Sequence, residues 1–158
     1  MQQFKNEYDY TDDLIKESIT SWWNWRIKKQ KMMFYVCIAF FGIWFVVQKQ
    51  AMYLIPAVLA VGGLFLIKYR IRNEVKTEMQ RARVMYPDKT PHISVEIGED
   101  VTLSSGDNTR HLKVSDIENY KETQNLIVLF LKGKLTIALS KDGFTEGTAE
   151  EMIKFLKK

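Results

Sequence analysis

The chain is poor in the residues that usually announce chemistry or covalent stapling. In 158 residues it has one cysteine, Cys37, two histidines, His92 and His111, and three prolines. A single thiol excludes a disulfide framework and a cysteine-rich metal centre. The two histidines are far apart with no cysteine near either, so neither is expected to bind metal, and strand-end or surface positions are the default. Cys37 falls in an apolar run and is expected as a packed small side chain. Eight glycines are scattered without P-loop or dinucleotide spacing. Few prolines, with 46% hydrophobic and 27% charged residues, exclude a disordered tail and a low-complexity linker.

A basic surface of the kind that binds nucleic acid is also missing, although the net charge is +4. Residues 1–31 carry six Lys and Arg against five Asp and Glu, residues 32–87 seven against two, and residues 88–158 ten against twelve. The excess sits beside apolar segments while the C-terminal half is slightly acidic, which is the charge map of a membrane protein and excludes nucleic acid as the expected partner.

What the chain does have is two uncharged runs, Met32–Val47 and Ala51–Ile67, separated only by Gln48, Lys49 and Gln50. Each approaches the roughly 20 residues that span a bilayer core, and reaches that length if Lys31 and Lys68 snorkel outward. Neither run has the polar face of a soluble core helix, so a transmembrane hairpin over residues 32–67 is expected. Basic residues flank it on one side, Arg26, Lys28, Lys29 and Lys31 before and Lys68, Arg70, Arg72 and Lys76 after, against Lys49 alone in the turn. Both termini are therefore expected in the cytoplasm. Trp22, Trp23, Trp25 and Tyr69, with Lys31 and Lys68, are the expected interface anchors. Pro56 is expected to kink the second helix. Ala57, Ala60, Gly62 and Gly63 offer small surfaces for close helix approach. No Asp, Glu, Arg or His lies inside either run, so a proton relay or ion pathway is not expected.

Outside the hairpin, residues 1–31 read as a short strand over Gln3–Tyr10 and a helix over 12–30 that runs into the first span, with Thr11 able to cap it. Residues 68–87 read as a helical linker continuing the second span to Pro87. Residues 88–158 change to period two. Ile93, Val95 and Ile97 alternate, and further strands are expected around Val101–Leu103, Leu112–Val114, Ile117–Thr123, Asn125–Leu131 and Lys134–Leu139. Thr148 and Glu151 form a capping box before a C-terminal helix with Met152, Phe155 and Leu156 on one face. An antiparallel sheet of five or six strands closed by that helix makes the fold class α+β. Ile93, Val95, Leu103, Ile117, Leu126, Val128, Phe130, Ile137, Leu139, Ile153 and Phe155 are the expected core, buried on one face of the sheet.

The stretch Val101–Phe155 carries Leu103-Ser104, then Val114-Ser115-Asp116-Ile117 leading to Tyr120-Lys121-Glu122-Thr123, then Leu126–Leu131, Ile137-Ala138-Leu139-Ser140-Lys141 and Phe144. In this it resembles the C-terminal domain of the YcxB-like bacterial membrane proteins, and the segment before Thr11-Asp12-Asp13 is similar to that family as well. Ala138-Leu139-Ser140-Lys141 stands where the family usually has an isoleucine-proline-lysine step, and Val114-Ser115 where tryptophan-serine is common. The resemblance implies a cytoplasmic domain of pleckstrin-homology-like topology on a two-helix anchor in a bacterial cell membrane, and it transfers no catalytic residues.

No nucleophile and base, paired carboxylates or metal set can be assembled, and Ser104-Ser105-Gly106-Asp107 lacks a strand-to-helix elbow and reads as a hairpin loop. The chain is therefore expected to be no enzyme and to use no cofactor. Lys132, Lys134 and Lys141 are the candidate contacts to a protein partner or to anionic headgroups, a solvated turn being the plainer reading. The expected function is a membrane-anchored interaction module. The alternative is a small immunity or regulatory protein acting through its hairpin. A homodimer through the spans or a sheet edge is compatible with either.

Overall fold

The computed structural model describes residues 3–87, 90–106 and 108–157. In chain order the elements are β1 (Phe4–Asp9), α1 (Asp12–Arg26), α2 (Lys28–Gln48), α3 (Leu54–Met85), β2 (His92–Ile97), β3 (Asp100–Ser105), β4 (Asn108–Lys113), β5 (Ile117–Glu122), β6 (Leu126–Leu131), β7 (Leu135–Ser140), β8 (Phe144–Glu146) and α4 (Ala149–Leu156). The fold is α+β, with antiparallel sheets and a C-terminal helix. Two compact units divide it: residues 1–22 with 77–158, and residues 23–76. These boundaries run differently from a division at residues 31 and 88, because β1 is hydrogen-bonded to strands almost ninety residues further on.

In the first unit the expected single sheet of five or six strands is two sheets. One has the order β4-β3-β2-β1-β8 and the other β5-β6-β7. The N-terminal strand sits inside the larger sheet, pairing Phe4 with Ile97 and Tyr8 with Ile93 on one side and β8 on the other. Alternation then points Phe4, Val95, Ile97 and Val101 inward against Ile127, Leu129, Leu131, Ile137 and Leu139 of the smaller sheet, and Met152 of α4 closes the same cluster. Fully burying each such side chain contributes about 1.5–3 kcal/mol. Thr148 caps α4 by accepting from the Glu151 N–H, the first half of the capping box expected there, and its hydroxyl donates to the Glu151 carboxylate at 3.1 Å.

The expectation of burial on one face fails at β6. All six of its residues, Leu126 to Leu131, are buried. Ile127, Leu129 and Leu131 belong to the cluster between the sheets, while Leu126, Val128 and Phe130 belong to a second cluster with Ala138, packed against Leu14 and Trp22 of α1. Leu126, Val128 and Phe130 therefore lie on the opposite face from Ile137 and Leu139, since a strand's side chains alternate and Val128 is paired with Ala138. Val95 is fully buried as expected, whereas Ile93, Leu103, Ile117, Ile153 and Phe155 are partly buried at the margin of the cluster.

In the second unit, α2 and the following helix are antiparallel arms joined at Lys49 and Gln50, where Lys49 takes the left-handed conformation (φ 52) that ends α2. The expected continuous helix over 12–30 is interrupted at Ile27, whose backbone (φ −98, ψ 10) lies in the bridge region. A 3-10 turn over Ala51–Tyr53 precedes α3. Pro56 stands in the first turn of α3, where its missing N–H breaks no helical bond, so the expected kink does not arise there. The ring of Phe34 lies against Gly63, only 2.8 Å from where a Cβ on that glycine would stand. Gly42 and Gly62 face open space. Both helices are long and apolar enough to cross a membrane, and in neither is the apolar stretch covered by protein. Val46 and Leu66, for example, are each 70% exposed.

Candidate interaction surfaces

Two surfaces of the first unit stand out. The outer face of the larger sheet is polar throughout: Lys5, Glu7 and Asp9 alternate with the inward residues of β1, His92, Ser94 and Glu96 with those of β2, and Thr102 and Ser104 with those of β3. Short polar contacts run across it, from His92 Nδ1 to Asp9 Oδ1 at 3.0 Å and between Ser104 Oγ and Thr109 Oγ1 at 3.2 Å. The Lys5 ammonium, 3.0 Å from Glu7, holds that carboxyl below the usual carboxylate range, and Glu7 in turn raises the lysine. β4 forms one edge of this sheet and, apart from Leu112, is exposed along its length. Thr109, Arg110, His111 and Lys113 give that edge a basic character.

A cavity of about 710 Å³ opens where α1 begins, bordered by Tyr10, Asp12, Asp13, Arg83, Tyr86 and Pro91. Its guanidinium is already neutralised, because Arg83 donates to Asp12 at 2.7 Å. Burial raises the Tyr10 hydroxyl above its ordinary value, and burial raises that of Tyr8 further. Tyr8 uses its hydroxyl structurally, donating to the Ala138 carbonyl at 2.8 Å. Among the described residues no group of His, Cys, Asp or Glu is arranged to hold a metal ion.

The lysines singled out in the sequence do not gather into one patch. Lys132 stands in the turn between β6 and β7, where Gly133 adopts φ 76, and its Nζ donates to the Ser115 carbonyl at 3.3 Å beside Asp116 at 3.6 Å. Lys141 follows the other end of β7 and binds Glu122 at 2.7 Å. A six-residue strand, roughly 17–20 Å, separates the two positions. The side chain of Lys134 lies outside the described residues, as does Asp107 of the expected hairpin loop.

The aromatic and basic residues proposed as interface anchors divide between the two units. Trp22 packs against the second cluster of the first unit. Within the second unit, Trp23 is buried beneath the Arg70 guanidinium, whose carbon lies 5.4 Å from the ring centroid, a cation–π contact. Trp25 and Tyr69 are exposed, and Lys68 likewise. Lys31 donates to Asn24 at 2.7 Å. The partnership of Arg70 with Trp23 was not among the sequence expectations, because nothing in residue spacing brings positions forty-seven apart together.

The chain is thus an α+β protein in which a two-sheet unit is carried with an apolar helical hairpin. Residues 99–156 match the family model described as YcxB-like protein and form a YcxB-like domain. That match runs from the start of β3 to the end of α4. It leaves out β1 and β2, which supply Phe4, Val95 and Ile97 to the same core. No curated protein and no solved structure shows significant similarity to the chain.

Proposed function

We propose that the chain is a membrane-anchored, non-enzymatic interaction module of a bacterial cell membrane. The hairpin spans the bilayer with both termini in the cytoplasm, and the two-sheet unit, pleckstrin-homology-like in its pair of antiparallel sheets and closing helix, binds a protein or peptide at the inner face. The observation that carries the reading is the uncovered hairpin. A helix serving a soluble core would have its apolar stretch buried, whereas this unit leaves Phe40, Val46, Val58, Leu59 and Leu66 more than half exposed. The exposed basic edge β4 supports strand addition by an acidic peptide, with backbone hydrogen bonds supplying affinity and Arg110 and Lys113 supplying charge recognition. Headgroup contact by Lys132, Lys134 and Lys141 is weaker, since Lys132 and Lys141 face carboxylates of their own unit.

The second reading, an immunity or regulatory protein acting through its hairpin, draws on the same uncovered helices. In-cell photocrosslinking separates the two, with one photoreactive residue in place of Arg110 and another in place of Trp44. Capture of a protein at Arg110 is the expected result. Capture confined to Trp44 moves the function into the membrane and makes the sheets an accessory.

A further inference from the structure

Two basic clusters almost forty residues apart in the chain arrive at one level of the hairpin. Phe34 rests on Gly63, and the arms are antiparallel. Five residues from Phe34 toward the open end is Lys29, and five residues from Gly63 in the same direction is Lys68, each about 7.5 Å along its helix axis. Arg70, two residues beyond Lys68, reaches over Trp23 of α1 at the same open end. Lys28, Lys29, Lys68 and Arg72 are exposed, and among the described residues none of them is held in an ion pair. The unit of residues 23–76 contains nine Lys and Arg and one acid, Glu74. Directly below the cations the walls are apolar and open, with Met32, Met33, Phe65 and Leu66 all exposed.

A ligand matching this arrangement carries a phosphate next to hydrocarbon. We infer that the base of the hairpin is a binding site for anionic phospholipid, with Lys28 and Lys29 of α2 and Lys68 and Arg72 of α3 around the headgroup phosphate and Trp25 and Tyr69 at the ester level. A soluble anion would satisfy the cations but leave the apolar wall wet. The inference rests on the membrane reading given above and adds a lipid class to it.

The test uses the full chain carrying Trp44→Phe, so that Trp22, Trp23 and Trp25 report, reconstituted in phosphatidylcholine bilayers. Brominated phosphatidylglycerol or brominated phosphatidylcholine is added in increasing mole fraction and tryptophan quenching is followed. The expected result is half-quenching by the anionic lipid at about a fivefold lower mole fraction. The preference disappears in K28Q/K29Q/K68Q/R72Q and persists in K28R/K29R/K68R, which retains the charge. Equal quenching by both lipids in the otherwise unaltered chain overturns the site while leaving the membrane reading intact. Quenching by neither lipid overturns the membrane reading, and the site with it.

Discussion

Asn6 and Ser140 exchange two hydrogen bonds in the interior of the sheet unit. The Asn6 Nδ2 donates to the Ser140 carbonyl at 2.7 Å, and the Ser140 N–H donates to Asn6 Oδ1 at 3.0 Å. Asn6 is 1% exposed. It lies on β1 of the larger sheet and Ser140 on β7 of the smaller, so one side chain mimics a strand and joins the two sheets where their backbones do not pair. Tyr8, two residues on along the same face, repeats the contact at Ala138.

Removing that amide strands a buried backbone N–H. Asn6→Ala leaves the Ser140 N–H unsatisfied, at a cost of roughly 1–3 kcal/mol, while the Ser140 carbonyl still accepts from the Gly143 N–H at 3.2 Å. Chemical denaturation of the full chain in detergent, followed by near-ultraviolet circular dichroism, is expected to show a loss of about 1–3 kcal/mol. Asn6→Asp sets a buried carboxylate oxygen against the Ser140 carbonyl oxygen, so a loss at least as large as that of Asn6→Ala is expected near neutrality. A loss below 0.5 kcal/mol in Asn6→Ala, about the size of an ordinary surface substitution, would show that the sheets are held by their apolar faces alone.

Glu17 anchors α1 to the turn between β5 and β6, accepting from the Asn125 backbone N–H and from its Nδ2, both at 2.9 Å. Partial burial pushes the carboxyl upward, but these bonds, with contributions from Thr123 and Gln124, outweigh it and the value lies below the usual carboxylate range. A folded-state value below the unfolded one means that the stabilisation is complete above about pH 4.3 and is lost as pH falls through the folded value. Glu17→Ala is therefore expected to destabilise by about 1 kcal/mol near neutrality. The gap between variant and unaltered protein should close as thermal unfolding is repeated toward pH 3. A gap independent of pH would assign the effect to packing and not to the carboxylate.

Gly63 is the close-approach point of the hairpin. An alanine Cβ would stand 2.8 Å from the end of the Phe34 ring, a contact that a small rotation of the ring relieves. Gly63→Leu leaves no such escape, and overpacking of this kind typically costs 1–3 kcal/mol. Thermal unfolding in detergent is expected to show a clear loss for Gly63→Leu, a small one for Gly63→Ala, and recovery when Gly63→Leu is combined with Phe34→Ala. Gly62→Leu, at a position facing open space, should be tolerated.

Much of this architecture is legible in the amino-acid order because it depends on local patterning. The uncharged runs set the two long helices, Lys49 and its glutamines set the turn, and period-two alternation is plainest in β2, Ile93, Val95 and Ile97. Thr148 and Glu151 mark the start of α4 three residues apart. The short β8, Phe144–Glu146, has too few residues to show a period. The apolar run Leu126–Leu131 reads as a buried strand, yet periodicity gives no hint that its second face is covered by Leu14 and Trp22, more than a hundred residues earlier.

What only the tertiary structure decided are the long-range partnerships. These are β1 inserted between β2 and β8, Asn6 set against Ser140, Arg70 over Trp23, and Lys132 and Lys141 held apart at opposite ends of β7. Lys132 and Lys141, nine residues apart, are kept from meeting by the extended strand between them, whereas the first three join residues whose separation along the chain is many times the length of a helical turn or a strand. Their pairing is chosen by the global burial of apolar faces and the need to satisfy buried polar groups, quantities that no local window of sequence contains. The sequence alone determined where helices and strands form and which faces are apolar; the fold determined which of those faces meet.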